Sequence, residues 1–423
     1  MKSFIIVIFL FYYSNLLLSA PGDLIWKYKT GGGFSSPCLS NNIIYIGSYY
    51  GNLYALNSFN GSLIWSFKTP NCIDSTPCVS NNILFFGDYT ANIYALNAYN
   101  GGFIWKYTTG AYIQSSPIVN NGIVYCGSND NYIYAINSKN GDLIWIYKTN
   151  NGVVSTPYLL NNVIFIGSND KNIYALNASN GNLLWKYITE GAVESSPDIS
   201  GQYLYIGSND YNLYTLRFDN GMLKWKFKTE GNITSSPCIE NGNLYFGSDD
   251  FYLYAIKASD KKFIWSYRTE SFIKSSPCIF NNIVYFGSYD SNLYAVNSTD
   301  GHLMWKYKTG NRIHSSPLIY NYTVYFGSFD TYLYAVETYG YTGFTDYKSA
   351  IKLPENDFSA SPNPFSSRLS VSLLSSGVVY SLTGQLIMKL DKGKHSIDTS
   401  KWREGVYIVK SGMDCRRIIK INN

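Results

Sequence analysis

One pattern of apolar and polar positions recurs along most of this chain, and each copy ends in a tryptophan: Trp26, Trp65, Trp105, Trp145, Trp185, Trp225, Trp265 and Trp305. The first interval is 39 residues and the other six are 40. In the copy Ser275–Ser288, the pair Asn281-Asn282 separates two apolar runs, and Asn tolerates the positive φ that a two-residue hairpin turn demands. The second run, Ile283-Val-Tyr-Phe286, is apolar on both faces, as in a sheet sandwiched between two others. A Gly-Ser-x-Asp turn, an alternating strand Asn292–Asn297, a turn ending in Asp300-Gly301 and the strand carrying Trp305 complete the unit. Four short strands per unit at a fixed period predict an all-β, eight-bladed β-propeller.

The ends of the array are complementary. Gly22–Thr30 holds the end of the motif without its beginning, and Ala335–Gly340 holds the beginning without a following Trp. Placing the first Trp strand outside the last unit removes both open edges, so a ring closed non-covalently by the N-terminal strand is expected over residues 22–340. Within Ala175-Leu-Asn-Ala-Ser-Asn-Gly-Asn-Leu-Leu-Trp185, Ala leaves room for an indole, Asn sets the turn and Gly lets backbone approach a ring face. All eight Trp therefore read as structural. Lys261 stands where Gly is expected, so its turn should be looser.

Composition narrows the class. Aromatics reach 17% with 41 Tyr, and charged residues only 14%, which suits strands and turns. The net charge of +5 could suggest a polyanion partner, but lysines such as Lys27, Lys29, Lys106, Lys186 and Lys306 lie on the outermost strands. In Leu24–Lys29 alternation places Leu24, Trp26 and Tyr28 on one face and Ile25, Lys27 and Lys29 on the other. Lysines there guard an exposed edge, and no nucleic-acid partner is expected.

Residues 1–20 read as a signal peptide: Lys2, an apolar stretch Phe4–Leu18, and Leu18-Ser19-Ala20 before Pro21. No Cys stands at that cleavage site to carry a lipid, and no other apolar run is long enough to span a bilayer. Seven cysteines cannot all pair within one chain. Cys38, Cys78, Cys238 and Cys278 share a repeat position with Ile118, Tyr158, Asp198 and Leu318, which favours small buried hydrophobes over ligands. A Cys38–Cys78 bridge between neighbouring units is the alternative. No metal-type Cys/His spacing is present.

Candidate chemistry lies where the copies diverge. Just before Ser-Ser/Thr-Pro stand Phe34, Asp74, Gln114, Val154, Glu194, Thr234, Lys274 and His314, eight different residues in eight copies. The position opens the innermost strand, so all eight should ring the mouth of the central channel. Such a ring either selects a ligand or drifts in solvent; it is the candidate ligand-binding surface. At another position stand Asp130, Asp170, Asp210, Asp250, Asp290 and Asp330, absent only from the first two blades. Carboxylates there either set the hairpin turn, the favoured reading, or hold a cation. No catalytic constellation, phosphate loop or nucleophile elbow is found.

The spacing Ala-x-Asn-x-x-Asn-Gly-x-x-x-Trp resembles the tryptophan-docking motif of the PQQ-like repeat family. That family includes eight-bladed quinoprotein alcohol dehydrogenases and the propeller lipoprotein of the outer-membrane barrel-assembly machinery. As an enzyme of that kind, the chain would take pyrroloquinoline quinone with calcium, and would usually carry an adjacent Cys-Cys pair; none exists here. After a linker at 341–357, Ser361-Pro-Asn-Pro-Phe365, Val379–Ile387 and Glu404-Gly-Val-Tyr-Ile-Val-Lys410 resemble, over 358–423, the C-terminal sorting domain of the type IX secretion system, a small β-sandwich. The resemblance implies the type IX machinery as partner and the outer surface or surroundings of a Gram-negative, Bacteroidetes-type bacterium as destination. The expected protein is a secreted, monomeric, non-catalytic scaffold without cofactor, binding a protein or glycan on its ring face. A quinoprotein oxidoreductase and a purely structural surface protein are the alternatives.

Overall fold

The computed structural model describes residues 20–32 and 35–338, and beyond them the strands between 358 and 420 with residues 391 and 399. Contacts divide the chain into two compact units, residues 1–341 and 342–423. The expected signal segment and linker lie outside the described residues.

The first unit is eight four-stranded antiparallel sheets, with no helix among the described residues. Blade 1 shows the plan: β2 (Cys38–Ser40) is innermost, then β3 (Ile43–Gly47), β4 (Asn52–Asn57) and the outer β5 (Leu63–Lys68). The first hairpin turns on Asn41 and Asn42 at φ 50° and 62°, and Asn281 and Asn282 repeat this at 50° and 59°. Second strands such as β3 are buried along their length, because blades press on both faces.

Closure follows the predicted route. β1 (Leu24–Lys29) joins the last blade outside Tyr332–Glu337, so blade 8 contains both ends of the array. Trp26 pairs with Ala335, as Trp65 pairs with Ala55 within blade 1, and both pairings carry the same register shift. That shift alters one expectation. Residue 25 is skipped in the ladder, so strict alternation fails at the strand's start and Leu24 and Ile25 are both exposed.

The core consists of apolar interfaces between neighbouring blades. Tyr125, Ala135 and Trp145 of blade 3 pack on Val153, Ile164, Ile166, Tyr174 and Leu176 of blade 4. Trp26 and Tyr325 of blade 8 close the circuit on Ile44, Ile46 and Leu56 of blade 1. Indole N–H groups reach across these interfaces: Trp65 donates to the Ala98 carbonyl at 3.0 Å and Trp145 to that of Ala178 at 2.8 Å. A glycine of the receiving blade lies under each such indole, and a Cβ on Gly101 would meet Trp65 at 2.7 Å. At the junction of blades 7 and 8 the glycine under Trp305 is Gly22, delivered by the N-terminal segment.

The second unit holds seven strands in two antiparallel sheets, one of three and one of four. Their packing into a sandwich lies outside the described residues.

Candidate functional site

Each blade delivers two turns to the same end of the channel: the link entering its inner strand, and the turn between its second and third strands. In blade 2 these are Cys72–Pro77 and Asp88–Ala91. The amide of Tyr89 donates to the Cys72 carbonyl at 2.9 Å, and every other blade repeats this bond.

Ser-Ser/Thr-Pro fixes the link. The first hydroxyl stays within the blade, where Ser75 accepts from the amide of Gly87 at 2.8 Å. The second couples blades. Thr156 N–H donates to Ser196 Oγ, Ser196 to Ser236, Ser236 to Ser276 and Ser276 to Ser316, all at 2.9–3.0 Å. Ser316 then donates to Ser36 at 2.9 Å, carrying the hydroxyl ring across the chain's closure. Ser36, Ser116, Ser196 and Ser316 of this position, with prolines such as Pro37 and Pro317, line a cavity of about 380 Å³.

Above this ring stand the divergent positions. Asp74, Gln114, Val154, Glu194, Thr234, Lys274 and His314 are each half-buried; Phe34 lies outside the described residues. The structure brings several into direct contact. Gln114 Nε2 donates to Asp74 Oδ2 at 3.1 Å across a blade boundary. Lys274 forms an ion pair with Asp249 at 3.3 Å, also across a boundary. Val154 and Thr234 make no such link.

A second ring was not picked out from the sequence: the x of Gly-Ser-x-Asp, occupied by Tyr49, Tyr89, Asn129, Asn169, Asn209, Asp249, Tyr289 and Phe329. Its members partner the first ring. Tyr89 Oη donates to Asp74 at 3.0 Å, Asn209 Nδ2 to Glu194 at 2.8 Å, and Tyr289 meets the His314 ring edge-on at 5.9 Å. The signal was available, because this position also diverges among copies. Reading the segment as a turn concealed it.

The mouth is chemically divided. On blades 7 and 8 the Arg312 guanidinium lies over Phe329 at 4.1 Å and Tyr289 at 5.1 Å. On blades 4 to 6, Asn169 Oδ1, Asn209 Oδ1, Thr234 Oγ1 and Asp249 Oδ1 are sealed from solvent without a hydrogen-bond partner. Burial holds the His314 imidazole below its ordinary range, against the pull of Asp74, and so favours its neutral form. Burial raises the Asp249 carboxyl, and the Lys274 ammonium opposes it.

The repeated aspartates are turn staples. Asp170 Oδ2 accepts from Tyr174 Oη at 2.6 Å and from the Asn150 amide at 2.9 Å, while Oδ1 accepts from the Asn172 amide at 3.0 Å. Burial acts to raise its pKa, but these donors outweigh it and hold the carboxyl below the usual range. Blade 2 has Thr90 at this position, and the residue facing it is Pro70, which has no N–H to give. Asp88 supplies the carboxylate from two residues earlier, accepting from the amides of Thr90 and Asn92.

Asp74, Glu194 and Asp249 are each engaged by side chains of the mouth, and no group of three or more His, Cys, Asp or Glu among the described residues could hold a metal ion. Cys38, Cys72, Cys78, Cys126, Cys238 and Cys278 are free thiols. Burial pushes Cys38 and Cys238 up to about 12, so neither is a thiolate at neutral pH.

Comparisons with known proteins accord with this architecture. The family model described as outer membrane protein assembly factor BamB matches residues 16–86, 73–160, 150–238 and 228–340. The model of the secretion system C-terminal sorting domain matches residues 359–420. No curated protein matches the chain. Among solved structures, BamB from Moraxella catarrhalis superposes with a TM-score of 0.67 at 16% identity, covering 75% of this chain and 99% of that one. The computationally designed Ika8 protein gives 0.68 at 15%, with the same two coverages. A europium-containing methanol dehydrogenase gives 0.63 at 14%, covering 73% and 86%. At these identities the likeness is one of fold.

Proposed function

We propose, from the premise that this chain belongs to the family of the outer membrane protein assembly factor BamB and ends in a secretion system C-terminal sorting domain, that it is an exported recognition propeller. The sorting domain points to type IX secretion and to the surface of a Bacteroidetes-type bacterium. Residues 358–423 engage the secretion machinery, and the mouth of the ring takes a ligand without transforming it.

One observation carries the binding role. Fold-determining positions stay alike in nearly every blade, whereas the two rings of mouth residues diverge and are joined to one another: Asp74 to Tyr89 and Gln114, Glu194 to Asn209, Lys274 to Asp249. Packing alone would repeat one solution eight times. A mouth that differs around its circumference suits an asymmetric ligand.

The test measures adhesion of labelled full-length protein to cells of a Bacteroidetes-type bacterium. Simultaneous Ala substitution of Asp74, Glu194, Lys274 and His314 should abolish adhesion and leave cooperative unfolding intact. Unchanged adhesion by a folded variant would remove the mouth from the function. Expression without residues 358–423 should retain the propeller inside the cell; normal export would defeat the sorting role.

A further inference from the structure

Blade 1 departs from the other seven on this face. Six blades staple the turn with an aspartate and blade 2 supplies Asp88, but blade 1 reads Ser48-Tyr49-Tyr50-Gly51 and has no carboxylate there. Tyr50 occupies the aspartate's position. Its ring lies over Gly31, where an added Cβ would come within 3.0 Å of Cδ2, and the residue is still 61% exposed. Tyr49 is 52% exposed, and the two rings meet edge to face at 5.6 Å. The Lys68 ammonium donates to the Tyr50 carbonyl. Tyr49, Tyr50, Lys68, Pro70 and Asn71 line a cavity of about 350 Å³.

We infer that this cavity is a carbohydrate subsite on the rim of the mouth, with Tyr50 and Tyr49 as the platform. The inference rests on reading the mouth as a ligand-binding surface and names the ligand class. A sugar ring presents C–H faces to an aromatic plane and hydroxyls to its edges, and tyrosine offers both an apolar body and a polar tip. Asn71 and Lys68 supply further polar groups at the wall. A peptide is less well served, because Pro70 alone of the lining residues offers an aliphatic side chain without a charge and the turn's backbone is already paired. Tyr49 N–H donates to the Gly32 carbonyl, Gly51 to Ser48, and Thr69 to Gly51. Giving up the carboxylate while exposing two rings weakens the turn without a return in packing, as expected where a residue serves binding.

Affinity electrophoresis of the full chain in gels cast with laminarin, xylan, mannan or dextran tests this. At least one polysaccharide should retard migration, Tyr50→Ala should weaken the interaction tenfold or more at unchanged Tm, and Tyr50→Trp should preserve it. No retardation by any of the four, or equal retardation of a Tyr49→Ala/Tyr50→Ala variant, overturns the inference. Capture of proline-rich peptides through Tyr50, with no polysaccharide bound, overturns it in favour of a peptide site. If the mouth variant loses cell adhesion while no polysaccharide binds, the carbohydrate assignment alone fails. If polysaccharide binding depends on Tyr50 and adhesion ignores the mouth variant, the mouth reading fails instead.

Discussion

Trp225 and Lys261 meet at a junction that the other seven interfaces build from tryptophan and glycine, and the indole N–H of Trp225 has no acceptor. Lys261 takes the left-handed conformation at φ 58° that glycines hold elsewhere, and its ammonium donates to the Lys226 carbonyl at 3.3 Å. The other donor to the Ala258 carbonyl is also held further off: Tyr205 Oη stands at 3.5 Å, against 2.9–3.1 Å between Tyr45, Tyr125, Tyr245 and Tyr325 and their acceptors. The turn itself is not looser as the sequence suggested, since Lys261 N–H donates to the Lys257 carbonyl at 2.9 Å as Gly61 does to Asn57; the difference lies in how Trp225 docks.

Lys261→Gly should therefore stabilise the propeller by about 1–2 kcal/mol, through relief of left-handed strain and recovery of one hydrogen bond. The converse change, Gly221→Ala, should destabilise it, because the new Cβ would meet Trp185 at 2.6 Å. Urea unfolding of both variants checks the pair of signs.

Trp26→Ala should cost about 3–5 kcal/mol although Trp26 lies close to the N-terminus. Its indole is buried against blade 1 and donates to the Ser58 carbonyl at 3.1 Å. Removing residues 22–30 should lower the melting temperature of the whole ring. A loss confined to one blade, read by hydrogen exchange, would contradict the closure.

The turn aspartates give a sharper test. Asp170→Ala should lose about 1–3 kcal/mol by stranding Tyr174 Oη and the Asn150 amide. Thr90→Asp should bring no gain, since Pro70 has no N–H to offer. Thermal melts should show Thr90→Asp neutral or destabilising, and Thr90→Asp with Pro70→Gly more stable than Thr90→Asp alone.

His314 sets a pH dependence. Its folded-state pKa lies below its ordinary value of 6.5, so the unfolded chain takes up the proton more readily. Stability should be full above that value and fall as pH drops below it. Asp74 and Asp249 face the ring and soften the effect, while Lys274 and Arg312 reinforce it. His314→Gln should flatten the melting temperature between pH 7.5 and 5.5; an unaltered slope would assign the dependence to other groups.

The propeller was legible because its determinants are local and repeated. Trp, Gly and the paired Asn recur at fixed offsets, and the orphan segment Gly22–Thr30 announced the closure. The mouth was half legible. Divergence picked out the ring from Asp74 to His314, but the partners Tyr89, Asn209 and Asp249 sit in a turn that reads as mere connection. Polar links between blades were hidden. Nothing near Thr90 shows that its missing carboxylate answers to Pro70, because the donor lies 20 residues back on the preceding blade.

The pairing of Leu24–Lys29 with the last blade also implies an order of events. Thr30 bonds to Thr331, 301 residues further along, so the circle stays an open spiral until that late segment is available. Every earlier blade has its neighbours by then, and closure becomes the slow, long-range step of folding. The strand made among the first is the last to be seated. Until it is, blade 8 presents a bare edge to any machinery or chaperone that handles the chain in transit.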